Sequence, residues 1–121
     1  MTLDERLNRV REALAAVWTA QGRQFATFEA ADDADIWVQC VDGRLNLSWP
    51  LDEDPRTALP KHGVALPRGS FPGFWTPEDT AILEVGDALL DDVAVLVLAL
   101  HDRLLSPDHQ ADVTARVEHI A

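Results

Sequence analysis

Cysteine occurs once in these 121 residues, at Cys40, so no internal disulfide can form and a reducing compartment is expected. Basic residues are also scarce, 10 against 21 acidic ones, for a formal net charge of −11. That balance repels phosphate backbones and anionic lipid, which removes nucleic acid and membrane surfaces from the expected partners. A basic partner would be attracted. The opening residues MTLDERLNRV lack the basic and apolar regions of a signal peptide. No apolar run exceeds the eight residues of Val93 to Leu100, which is too short for a membrane span. The expected location is the cytoplasm.

Chemical motifs are equally sparse. None of the four histidines, His62, His101, His109 and His119, has another four residues away or neighbours the cysteine, as metal-binding helices and thiol sites require. Neither a phosphate loop nor a dinucleotide fingerprint is present. Gly69-Ser70-Phe71-Pro72-Gly73 is not the Gly-x-Ser-x-Gly elbow of hydrolases. No cofactor and no metal are expected. The best candidate for chemistry is His101 with Asp87, Asp91 or Asp102, the basis of a small metal-dependent enzyme. The same residues also suit helix-end electrostatics, with acids at the start and His101 and Arg103 at the finish, and that structural role is preferred.

Apolar content is 47%, an ordinary globular composition whose length fits one domain. Thr2-Leu3-Asp4-Glu5 has the form of a capping box. Leu3, Leu7, Val10, Leu14, Val17 and Trp18 follow at helical spacing, with Gly22 placed to end the helix. Arg6, Arg9 and Arg11 fall on the other faces and read as solvated surface. Gln24 to Ala30 has strand composition and precedes a polar five-residue connection, Ala31 to Asp35. Ile36 to Val41 and Arg44 to Trp49 alternate around Asp42-Gly43, a strong two-residue hairpin signal. That loop sets Cys40 opposite Leu45, Val38 opposite Leu47 and Ile36 opposite Trp49, a wholly apolar core face. Trp37 and Val41 then lie on the other face, joined by Phe25 if the first strand pairs with Ala30 facing Ile36.

Six of the seven prolines fall between Pro50 and Pro77, with Gly63, Gly69 and Gly73 among them. Regular elements longer than a few residues are not expected there, although Val64-Ala65-Leu66 suits a short edge strand. The aromatics Phe71, Phe74 and Trp75 mark this stretch as a binding or docking loop. Thr76-Pro77-Glu78-Asp79 then reads as a helix start. Gly86-Asp87 kinks or interrupts that helix before the long apolar stretch to Leu105. Ser106-Pro107-Asp108 repeats the cap signature, and Val113, Val117 and Ile120 form a stripe of a final helix. Val93 to Leu100, apolar around its circumference, must be covered on several sides.

The expected architecture is therefore α+β: an N-terminal helix, a three-stranded antiparallel sheet extensible to five strands, a Pro-rich crossover, a long apolar helix and a C-terminal helix. It resembles the small bacterial chaperone-like superfamily that groups type III secretion chaperones with YbjN-like domains. The residues carrying the likeness are Ile36 to Leu45, Leu59-Pro60-Lys61-His62-Gly63, Phe74-Trp75, and Val93 to Leu105 closing on Ser106-Pro107. The likeness implies one chaperone-like domain over residues 1–121, homodimeric and non-catalytic, that binds a peptide segment or partner protein. Its fourth and fifth strands are weakly marked here. The expected partner-binding residues are Phe25, Trp37, Val41, Phe71, Phe74 and Trp75. A different reading is an acidic immunity or inhibitor protein that neutralises a basic partner.

Overall fold

The computed structural model describes residues 2–19, 23–105 and 112–119. Helix α1 (Leu3–Trp18) starts at the capping box, where the Thr2 hydroxyl accepts a hydrogen bond from the Glu5 amide at 3.1 Å. Val10, Leu14 and Val17 of the expected stripe are buried, with Leu7 and Trp18 at its margins. Gly22 lies outside the described residues.

Strands β1 (Gln24–Ala30), β2 (Asp33–Val41) and β3 (Arg44–Ser48) form an antiparallel meander. The β2–β3 hairpin has the expected register, Cys40 opposite Leu45 and Val38 opposite Leu47. Asp42 and Gly43 both take positive φ, 50° and 75°, as a two-residue turn of this hand demands. Phe28 joins the core opposite Val38, but Ala30 faces Asp33 rather than the expected Ile36. The β1–β2 connection is shorter than expected, because Asp33 to Asp35 belong to β2 and a register shift between Glu29 and Ala30 absorbs them.

From Pro50 onward the structure departs from the sequence reading. The crossover contains a two-turn helix, α2 (Pro55–Lys61), and a strand, β4 (Phe71–Trp75). Helix α2 contains two prolines: Pro55 occupies its first turn, where no amide bond is lost, while Pro60, next to its last residue, forgoes one. The Asp54 side chain caps it by accepting from the Arg56 amide at 2.9 Å. Val64-Ala65-Leu66 is irregular rather than a strand, with Val64 buried in the core.

Thr76 to Asp79 begins no helix. It is the loop of a hairpin between β4 and β5 (Thr80–Glu84). The Thr76 amide donates to the Thr80 carbonyl at 2.8 Å and the Asp79 amide to the Thr76 carbonyl at 3.2 Å. Hydroxyl, proline and acids satisfy a tight turn by the same local bonds that satisfy a helix cap. The following residues decide between them, and Ala81, Leu83 and Val85 alternate as buried positions of a strand.

The long apolar helix is therefore shorter than expected. Helix α3 spans Leu90–Leu100 and continues as one π-helical turn, His101–Leu105. The last described element is a strand, β6 (Val113–His119), where a helix was expected. It pairs with β1 over its whole length, from Val113 opposite Ala30 to His119 opposite Gln24. The cap signature at residues 106–108 lies outside the described residues.

The result is an α+β fold with a six-stranded antiparallel sheet in the order β4-β5-β3-β2-β1-β6. The core joins one face of the sheet to α1, α3 and the crossover. Phe28, Val38, Leu45, Leu47 and Leu83 meet Leu14, Val93, Val97, Leu100 and Leu59 there. Helix α3 is thus covered by the sheet, by α1 and by residues 58–64. Only Val95 in its apolar middle stays open, at 54% exposure. Among the described residues no helix is long and apolar enough to cross a membrane.

Candidate functional site

Strand alternation places a second set of residues on the face that, among the described residues, carries no helix. Trp37, Gln39 and Val41 alternate with the core residues Val38 and Cys40. Phe25 and Thr27 alternate with Ala26 and Phe28 in the same way. The ladders align these positions into rows across the strands. Glu118 faces Phe25, and Val41 lies one step beyond the Ala26–Cys40 pair. The row continues through Val41 opposite Arg44, Arg44 opposite Glu84 and Glu84 opposite Phe71. The next row runs through Ile82, Asn46, Gln39, Thr27 and Arg116.

This face is mixed in chemistry. Phe25, Trp37, Val41 and Ile82 are half-buried by their neighbours, and Phe71 is 58% exposed. Between them the Gln39 side chain donates to the Thr27 hydroxyl at 3.4 Å. Arg44 holds Glu84 at 3.0 Å, and Arg116 pairs with both Glu29 and Glu118. Such a surface offers apolar patches with polar groups between them. It suits an extended segment lying across strands better than it suits chemistry on a small molecule.

The structure brings part of the expected site together. Phe25 and Val41 are cross-strand neighbours, and Trp37 lies four residues along the same strand, about 13 Å away at strand rise. Phe71 reaches the same face, but three strands from Val41, about 14 Å at ordinary strand spacing. Trp75 does not join them. It faces Ala81 on the core side and packs partly buried against the core. Phe74 is 74% exposed on the edge strand β4, so the aromatic loop is a sheet edge rather than a lid. Ile82 was missed because it falls in the stretch read as helix; the alternation Ala81, Leu83, Val85 was the available signal.

The acid–base candidates do not assemble. His101 is 1% exposed and its Nε2–H donates to the Phe28 carbonyl at 2.9 Å. Burial pushes its pKa below the ordinary value of 6.5, although the Phe28 bond and Asp102 act the other way. Asp102 turns instead to Arg6 of α1, which grips both carboxylate oxygens at 2.7 and 3.0 Å. Asp91 is held by Arg11 at 2.7 Å. Asp87 lies in the turn before α3, beside Gly69. Arg6 is therefore a tether between helices rather than solvated surface, Arg9 adds a bond to the Val113 carbonyl at 3.3 Å, and the Arg11–Asp91 pair stays largely exposed. Cys40 is buried, and burial alone pushes its thiol up to about 12, which suits a small hydrophobe. Among the described residues no group of three or more His, Cys, Asp or Glu could hold a metal ion.

No family model, no curated protein and no solved structure matches this chain.

Proposed function

We propose that this protein is a non-catalytic, chaperone-like binding domain that works as a homodimer. It receives an extended peptide or a partner-protein segment on the sheet face opposite its helices. The observation that supports this reading most is the one-sidedness of the sheet. Among the described residues all three helices belong to one side, and no element covers Phe25, Trp37, Val41, Ile82 or Phe71. Apolar residues spread over a face that no helix covers suit a partner.

The double variant Trp37→Asp with Val41→Lys tests it. Wild-type protein should retain a partner segment through purification from its native cell. The variant should lose that partner while its circular dichroism and melting stay within a few degrees of wild type. Retention of the same partner by a folded variant would refute the face as the site.

One observation favours the acidic immunity or inhibitor reading. Asp35, Glu78 and Asp79 rim a recess of about 240 Å³ beside Trp49, on top of the net charge of −11. A basic partner drawn to that rim would show an association rate that falls steeply with salt. Capture on the sheet face would be far less sensitive.

A further inference from the structure

The two edges of the sheet are built differently. Edge strand β4 carries Pro72 and Gly73 and a register shift between Pro72 and Trp75, all of which blunt an edge against pairing. Edge strand β6 has none of these. Its seven residues, VTARVEH, pair with β1 in unbroken register. The Ala31 amide donates to the Asp112 carbonyl at 2.8 Å, which fixes the parity of this antiparallel ladder. Thr114, Arg116 and Glu118 direct their backbone groups at β1, and Val113, Ala115, Val117 and His119 direct theirs outward. The Val113 carbonyl already takes Arg9. Ala115, Val117 and His119 present the rest of this edge, which is open among the described residues.

We propose that two copies of this chain join β6 to β6, antiparallel about a two-fold axis at Val117, into one continuous sheet. The inference rests on the homodimer reading above and names its surface. Five points select this occupant and register. Centring on Val117 pairs outward-facing residues with outward-facing residues, Val117 with its counterpart and Ala115 with His119. It sets Arg116 opposite Glu118 of the other copy, twice, on the outer face where opposite charges stabilise cross-strand pairs. Moving the axis one residue either way sets Arg116 on Arg116 or Glu118 on Glu118, which is repulsive. Moving it to Ala115 draws in Val113, whose carbonyl is already occupied by Arg9. Val117 itself is 38% exposed at the rim of the core, and the pairing covers it with a second valine. The two outer faces then form one surface twice as wide, so a single long segment could cross both copies.

The test is the mass in solution by sedimentation, in a concentration series reaching about 100 μM because edge pairing buries little area. Wild type should approach twice 13.4 kDa. Val117→Pro removes an outward amide without touching the β1 ladder and should leave a folded protein near 13.4 kDa. Arg116→Glu should weaken the dimer about tenfold or more, since two attractive pairs become repulsive. Mixing it with the Glu118→Arg single variant should restore a mixed dimer, because both cross-chain pairs are then attractive while the Arg116–Glu118 pair within each chain stays broken, which a merely structural role for Arg116 would not do. If Val117→Pro does not fold, restoration in the mixture of the two single variants decides alone. A wild-type monomer across the series overturns both the dimer and its surface. A dimer indifferent to Val117→Pro and to the charge swaps overturns this surface and leaves dimerisation to another.

Discussion

Burial keeps the His101 imidazole neutral in the folded chain, and the sign of the pH effect follows. Its folded pKa lies below the unfolded value of about 6.5. Above pH 6.5 neither state is charged, and the His101 contribution to stability is complete. As pH falls through 6.5 the unfolded chain takes up a proton that the folded chain resists, so stability is lost, by at most about 1.4 kcal/mol per pH unit. His101→Gln, whose amide can still reach the Phe28 carbonyl, should flatten thermal stability between pH 7 and pH 5 relative to wild type. An unchanged slope would mean the ring is not the group responsible. The sequence placed His101 at a helix end and assigned it to the helix dipole. What it could not show is that the π-helical turn buries it with Leu104 and Leu105. Gly43 was legible, because only a few residue types tolerate its conformation. The structure adds that a side chain there would sit 3.1 Å from the Gly86 Cα. Gly43→Val should cost about 2 kcal/mol or more, read by denaturant melting, and Gly43→Ala less.

The elements were legible where local signals agreed with one another. The capping box, the apolar stripe of α1 and the Asp-Gly hairpin each admit one structure, and each is present. Misreadings occurred where a local signal serves two structures. Thr-Pro-Glu-Asp caps helices and closes turns. In β6, Val113 and Val117 are spaced as on a helix, but Val113, Ala115 and Val117 also alternate as on a strand. Pairing with β1 settles that ambiguity, and a contact between residues so far apart in the chain leaves no local trace. Amide exchange distinguishes the alternatives directly. A strand in the stated parity protects the amides of Thr114, Arg116 and Glu118, while those of Ala115 and Val117 gain protection only at concentrations where the dimer forms. Contiguous protection at all concentrations would restore the helix. Between elements, Arg6 ties α1 to the π-helical turn through Asp102, and this part-buried bidentate pair is worth on the order of 1 kcal/mol. Arg6→Met should lower the melting point by a few degrees and should not change the mass in solution.

For the whole molecule, the sequence yielded the class, the meander and the identity of several outer-face residues, but not the size of the sheet. A three-stranded sheet would have left α3 short of cover and made the helix itself an argument for association. With the crossover and six strands in place, α3 is nearly satisfied, and the surplus apolar surface shifts to the sheet face. The Phe71–Trp75 aromatics divide accordingly, Trp75 toward the core and Phe71 to the open face. The central claim is that this open face is where a partner lies. Photo-crosslinking in the native cell tests it most directly, with a benzophenone amino acid at Val41 and, as control, at Glu12 on the exposed side of α1. The account predicts a discrete crosslinked partner segment from position 41 that is absent from position 12. Equal crosslinking at both positions, or at position 12 alone, would contradict it.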